Sequence, residues 1–220
     1  MKAYDFTVVP VPVWPINGII GIGYQKIMIR PLLFFILLSA LAWQNAAARE
    51  VERWSNNTQF LPQYCKDRAK GSSSSEWKKW RGTFGEAYIH IHHYCSGIYA
   101  EQQAKNTLNQ NERNPWLGKV VSQMRYVSGA CNKKCAIYPE LHTRWGWALG
   151  EQGQTAEAIR HYQLAFQAKE NYAPAYAKLS ELYIEVNEPD KARKTLQSGL
   201  KASPNSRMLK RRMEELGPVE

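Results

Sequence analysis

The sequence lacks the short motifs that mark the commonest enzyme classes. It has no glycine-rich phosphate-binding loop and no Gly-x-Ser-x-Gly nucleophile turn. No pair of carboxylates stands in an apolar segment, where burial would adjust their pKa values for acid–base chemistry. Glu151, Glu181 and Glu185 belong to segments that we expect to be solvated helix surfaces. We therefore predict a protein that is not an enzyme and needs no cofactor.

Long hydrophobic runs are also scarce. The apolar run Pro31–Trp43 is 13 residues long, whereas a helix that spans a bilayer needs about 20. Arg30 precedes this run and the small residues Ala46-Ala47-Ala48 follow it, as in a secretory signal peptide. We predict a signal peptide at residues 28–48, an exported periplasmic protein and no stable membrane span after cleavage. The alternative is a membrane anchor through residues 31–43. Residues 1–27, with three prolines and no helical period, are a dubious N-terminal extension.

Cysteine occurs only four times, and all four cysteines follow the predicted cleavage site. An even number in an exported chain favours disulfides, for which three pairings exist. We prefer Cys65–Cys95, which would tie an N-terminal arm to the first long helix, and Cys131–Cys135. A spacing of four residues brings two Cα atoms within disulfide range. The same spacing argues against a redox or haem motif, which needs two intervening residues.

Acidic residues are fewer than basic residues, 19 against 29. A basic excess attracts anions of many kinds, including nucleic acid, lipid head groups and acidic polysaccharide. Predicted export argues against nucleic acid. A soluble basic surface without a dedicated anionic partner remains the simplest interpretation.

The C-terminal half repeats itself at an offset of 34 residues. Each matched position keeps its class, whether large apolar, small or turn-forming. Small residues at fixed positions let two antiparallel helices approach closely, and Gly153 and Asn187 are suited to the left-handed conformation that ends a helix. The matched pairs are Trp145/Leu179, Gly146/Ser180, Leu149/Tyr183, Gly153/Asn187, Ala158/Ala192, Tyr162/Leu196 and Ala165/Gly199.

The segment Leu141–Pro204 resembles the tetratricopeptide-repeat family, whose unit is a helical hairpin of 34 residues. The resemblance covers two units, residues 139–172 and 173–206, and departs from the family at His142 and Glu170. It implies an all-α fold, a short α-solenoid of about three helical hairpins with a C-terminal capping helix. It also implies a scaffold that binds other proteins.

The rest of the chain completes this array. Residues 49–75 are an irregular N-terminal arm, and residues 76–130 form a divergent helical hairpin. Within that hairpin, the apolar period predicts a helix from 76 to about 105 that Gly82 or Gly85 interrupts near its start, and a second helix beginning at Asn114-Pro115. Residues 207–220 are the capping helix and tail, with apolar residues on one face and charged residues on the other.

The resemblance implies that the first helix of each unit lines a concave groove. We predict partner-binding residues at Arg144, Trp147, Glu151, Lys178 and Glu181. Arg144 and Lys178, at equivalent positions, are suited to hold a carboxylate or phosphate. Trp147 is either an exposed interface anchor or a residue that packs on the preceding hairpin. The expected partner is a protein, a peptide or a second copy of the chain.

Two alternative functions remain open at this point. Glu86, His90 and His93 lie on one predicted helix face, with His90 and His93 60° apart, and would supply two or three ligands of a metal or haem protein. The simpler interpretation is a polar helix face. The other alternative is an accessory subunit of an envelope polysaccharide or secretion machine, which is compatible with a scaffold.

Overall fold

A computed structural model describes residues 59–68 and 70–217, and this part of the chain is all-α, as predicted. The predicted N-terminal extension, the signal peptide and the first part of the arm lie outside the described residues. The described helices are α1 (Gln63–Arg68), α2 (Ser75–Phe84), a 3-10 helix (Gly85–His90), α3 (Ile91–Asn106), α4 (Gln110–Ser128), α5 (Tyr138–Glu151), α6 (Thr155–Ala168), α7 (Ala173–Glu185), α8 (Pro189–Ala202) and α9 (Arg207–Glu215).

Small side chains lie where consecutive helices meet. α5 packs against α6, and α7 packs against α8. A Cβ atom on Gly146 would lie 3.0 Å from the carbonyl oxygen of Ala158 and 3.0 Å from the Tyr162 ring, so any larger residue would require these neighbours to shift. Ser180 and Ala192, the equivalents of Gly146 and Ala158 in the second hairpin, are also buried. The predicted close approach at these positions is confirmed.

Two left-handed residues connect the helices within the hairpins. Gly153, between α5 and α6, has a φ of 74°, and Asn187, between α7 and α8, has a φ of 59°. Glycine and asparagine adopt this conformation at less energetic cost than other residues. Both turns are therefore formed by the residues that the sequence pattern indicated.

The cysteines pair as Cys65–Cys95 and Cys131–Cys135, which is the set that we preferred from the sequence. The first disulfide joins α1 to α3. A polar contact adds to it, since the carboxylate of Asp67 accepts hydrogen bonds from Trp80 Nε1 and Gln63 Nε2, both at 2.9 Å. The described end of the N-terminal arm is thus a helix fastened to its neighbours.

The region predicted as one helix from 76 to about 105 is divided in the structure. α2 ends at Phe84, and Gly85, with a φ of 60°, stands at the break. A 3-10 helix follows before α3 begins. Positive φ ends a right-handed helix, so this glycine is the interruption that the sequence suggested.

The predicted start of the next helix at Asn114-Pro115 is wrong. α4 begins at Gln110, because the side chain of Asn109 accepts hydrogen bonds from the backbone N–H groups of Asn111 and Glu112. Pro115 therefore lies inside the second turn of α4. Proline removes one helical hydrogen bond there but is tolerated near a helix N-terminus.

The hydrophobic core becomes thinner toward the C-terminus of the described chain. One cluster extends from Leu61 to Ala148. A second, smaller cluster joins α5, α6 and α7, and a third, built on Tyr176, Ala177, Leu196 and Leu209, joins α7, α8 and α9. The position predicted for a capping helix is occupied by α9, which buries Leu209 against α7 and α8.

None of the helices formed by residues 59–68 and 70–217 combines the length and apolar character that crossing a membrane requires.

Candidate protein-binding groove

Three cavities follow one another along the first helices of the hairpins. The first, of about 270 Å³, is lined by residues of α3, α5 and the start of α7, among them Glu101, Glu140, Arg144, Trp147 and Tyr172. The second, of about 40 Å³, is lined by Trp147, Gly150, Glu151, Tyr162, Lys178, Glu181, Leu182 and Glu185. The third, of about 290 Å³, is lined by Ser180, Glu181, Ile184, Glu185, Leu196, Arg212, Glu215 and Leu216.

Shared lining residues place these cavities next to one another. Trp147 and Lys178 line both the first and the second cavity, and Glu181 and Glu185 line both the second and the third. We call the row of three adjacent cavities the groove. It contains all five residues predicted to bind a partner.

Trp147 is not the exposed anchor that one interpretation predicted. Its side chain is only 8% exposed and belongs to the cluster that packs α3, α4 and α5 together. The ammonium group of Lys105 lies 4.9 Å from its ring centroid. The structure therefore matches the alternative, in which Trp147 packs on the preceding hairpin, and the residue contributes a wall of the groove.

Arg144 does not present a free guanidinium. It forms an ion pair with Glu140 at 2.7 Å and another with Glu101, whose side chain is buried. Burial alone would raise the pKa of Glu101, but the charges of Arg144 and Lys105 outweigh it, so this pKa lies below its usual range. The prediction that Arg144 grips an incoming anion did not anticipate these partners, which come from α3 and from its own helix.

The other charged residues predicted to bind a partner are paired as well. Lys178 contacts Glu181 at 2.5 Å within α7, and Glu181 also accepts from Arg212 of α9. Glu151 is bound by Arg113 of α4. These ion pairs use the charges of Glu151, Lys178 and Glu181, which the sequence offered as ligand-binding groups.

Glu185 differs from the other acidic residues of the groove. It is exposed and stands one repeat after Glu151, at the junction of the second and third cavities. Partial burial and the nearby charges of Glu151 and Glu181 raise its pKa above the usual value. A positive charge placed near this carboxylate would stabilise its ionised form.

The groups suggested as metal ligands are engaged separately. Glu86 pairs with Arg81, His93 Nδ1 lies 2.8 Å from the side-chain oxygen of Gln123, and His90 contacts the ring of Tyr126. The 60° separation assumed a continuous α-helix, whereas Glu86 and His90 belong to the 3-10 helix. Among residues 59–68 and 70–217, no three His, Cys, Asp or Glu side chains are grouped as a metal ion requires.

The comparison with protein families concerns the C-terminal part of the array. Residues 150–212 match the family model of the tetratricopeptide repeat. This segment therefore carries the tetratricopeptide repeat. A search of solved structures finds the crystal structure of a thermophilic TPR protein of Thermus thermophilus, with a TM-score of 0.54 and 17% sequence identity, covering 85% of this chain and 97% of that one. No curated protein matches the sequence.

The structural similarity concerns the fold, because the identity is low. Tetratricopeptide repeats stack hairpins so that each contacts its neighbours and together they present an extended binding surface. The tetratricopeptide-repeat match of residues 150–212 and the helical array support a scaffold for protein–protein interaction.

Proposed function

We propose that this protein is a periplasmic, non-catalytic scaffold that binds one segment of a partner protein in the groove. The observation that carries the proposal is the row of three adjacent cavities along α5, α7 and α9. An elongated peptide or a helix is long enough to contact all three, whereas a small molecule fills one. Apolar walls at Trp147, Leu182 and Ile184 supply contact area.

The proposed location rests on two independent features. The sequence carries a signal-peptide pattern at residues 28–48. All four cysteines form disulfides, which persist in oxidising compartments such as the bacterial periplasm. A partner would accordingly be an exported protein or a subunit of the cell-envelope machinery that handles polysaccharide or secretes proteins.

Cross-linking in the envelope fraction tests this function. Wild type is compared with Ile184→Arg, which places a charge in the apolar part of the third cavity. Met208→Arg is the control, since Ile184 and Met208 are both 44% exposed and Met208 does not line the groove. We expect one protein, or a second copy of the chain, to be cross-linked in wild type and in Met208→Arg but not in Ile184→Arg.

A partner retained equally by both variants would place binding outside the groove and would overturn the proposal. Circular dichroism before the experiment establishes that both variants fold.

A further inference from the structure

We propose that the segment bound in the groove is cationic, with a lysine or arginine side chain flanked by apolar residues. This inference rests on the proposed function, because it specifies the chemistry of the ligand of the same groove. It reverses the sign that the sequence suggested, where Arg144 and Lys178 were expected to hold an anion.

The first argument is the balance of charge along the groove. Its lining holds six carboxylates, Glu101, Glu140, Glu151, Glu181, Glu185 and Glu215, and three basic side chains, Arg144, Lys178 and Arg212. Lys105 and Arg113, which do not line these cavities, pair with Glu101 and Glu151, so acidic side chains remain in excess by one. The chain as a whole has the opposite balance, a net charge of +10. Complementary charge steers a partner toward a site and selects against partners of the wrong sign.

The second argument is that the basic side chains of the lining are already neutralised. Arg144 is paired with Glu101 and Glu140, and Lys178 with Glu181. Arg212 contacts Glu181 and, at 2.9 Å, Glu215. An anionic ligand would have to displace these carboxylates, and separating Arg144 from the buried Glu101 would leave an uncompensated charge, which is strongly unfavourable.

The third argument concerns the place where a cation would be held. Glu185 has no ion pair among the described contacts of the groove, and it lies with Glu151 and Glu181 around the narrow second cavity. Partial burial and the charges of Glu151 and Glu181 raise its pKa, and an approaching positive group relieves this repulsion. An ammonium or guanidinium group therefore gains an ion pair with Glu185 without breaking an existing contact of that residue.

The apolar walls define what stands on either side of the cation. Trp147 and Tyr172 line the wide first cavity, and Ile184, Leu196 and Leu216 line the wide third cavity. The narrow acidic cavity lies between them because it shares residues with both. A segment with a basic side chain at its centre and aliphatic side chains on both sides matches this order.

Fluorescence anisotropy with three synthetic peptides tests the inference on the purified protein. The peptides are fluorescein-labelled, of equal length, and share the same leucine positions; the remaining positions are lysine, glutamine or glutamate. The lysine peptide is expected to bind most tightly and to lose affinity at high salt. Glu185→Gln is expected to weaken binding of the lysine peptide about twofold to fivefold, the range of an exposed ion pair.

A matched variant separates this effect from general loss of charge. Glu157→Gln removes one carboxylate from the exposed surface of α6, outside the groove, and is expected to leave the affinity unchanged. Glu185→Gln should not alter the weaker binding of the glutamine peptide, because that peptide offers no cation.

The outcomes distinguish the two proposals. Equal or tighter binding of the glutamine or glutamate peptide, abolished by Ile184→Arg, would overturn the cationic ligand and leave the groove as the binding site. Lysine-peptide binding that is unaffected by both Glu185→Gln and Ile184→Arg would overturn the groove itself. Failure of all three peptides to bind would overturn the inference of a cationic ligand. Whether a partner binds in the groove would then be tested by the cross-linking experiment alone.

Discussion

His142 and His161 face each other inside the first repeat, with their Nδ1 atoms 2.7 Å apart. One imidazole donates this hydrogen bond and the other accepts it, so the accepting ring is neutral. Both side chains are buried, and the ring of Trp145 stacks on that of His161 with centroids 4.1 Å apart. The pair joins α5 to α6 through a contact that is lost when both rings are protonated, because no accepting nitrogen then remains.

This contact predicts a loss of stability in mild acid. Burial, with the charge of Arg160, lowers the pKa of His142 to about 4, and burial with its two neighbours lowers that of His161 to about 3. Because an unfolded histidine titrates near 6.5, the unfolded chain binds protons first as the pH falls. The free energy of unfolding should be constant above about pH 6.5 and fall toward pH 4, by on the order of 1 kcal/mol per histidine between pH 7 and pH 5.5.

Urea unfolding at several pH values measures this dependence. In His161→Phe, which keeps an aromatic ring beside Trp145, the slope should be shallower than in wild type. His90→Phe, outside the pair, should keep the wild-type slope. Parallel curves for wild type and His161→Phe would show that the pair does not control the pH dependence.

Gly146 should not accept even one added carbon atom. In Gly146→Ala the new methyl group would lie 3.0 Å from a backbone carbonyl oxygen of α6 and from the Tyr162 ring, so these neighbours must shift by a few tenths of an ångström. We expect a loss of about 1–3 kcal/mol from overpacking. Gly118→Ala is the control: a Cβ atom there meets nothing within 4 Å, so the helix should gain up to about 1 kcal/mol. Thermal unfolding that ranks the two variants in the reverse order would contradict the packing argument.

The two disulfides should contribute unequally to stability. Cys65–Cys95 closes a sequence separation of 30 residues and Cys131–Cys135 one of 4. In the loop-entropy model these separations correspond to about 3–4 kcal/mol and about 2 kcal/mol. Chemical denaturation of the paired variants Cys65→Ala/Cys95→Ala and Cys131→Ala/Cys135→Ala compares them. A larger loss for the second pair would be inconsistent with the entropic explanation.

Arg144 should be more important for folding than an ordinary surface arginine. Its removal in Arg144→Gln leaves Glu101 buried with only Lys105 as a partner. We expect a loss of about 3 kcal/mol, typical of breaking a buried ion pair from one side. Arg211→Gln, an exposed residue of α9 whose partner Glu215 is also exposed, should change the unfolding free energy by less than about 1 kcal/mol. Equal losses in urea denaturation would mean that Arg144 is not structurally required.

The sequence was informative for the small residues and the turns within each repeat. Gly146 and Tyr162, like Gly153 and Asn187, have roles fixed by local spacing, so the 34-residue offset revealed them. The hairpin of α3 and α4 uses an equivalent contact, in which a Cβ atom on Gly97 would lie 2.5 Å from Met124. Those residues are 27 positions apart, against 16 for Gly146 and Tyr162, and the longer connection hid the equivalence.

The net charge of the groove could not be predicted from the spacing of residues in the sequence. Glu101 pairs with Arg144 across 43 positions and Arg212 pairs with Glu181 across 31, and both partners lie outside the two units that repeat. Spacing rules describe neighbours on one helix or in one hairpin. They do not indicate which side chain of a distant helix neutralises an arginine. The prediction that Arg144 and Lys178 bind an anion was made without that information.

The gradual thinning of the core has a consequence for the dynamics of the array. Leu209 and its few partners anchor α9, whereas the helices before α5 share a much larger apolar cluster and a disulfide. Amide protons should therefore exchange with solvent sooner in α8 and α9 than in α3 and α4, since local opening is easiest where the fewest apolar contacts are lost. The end of the molecule that carries the third cavity is then the adaptable one, able to adjust its width around an incoming chain while the opposite end keeps its form.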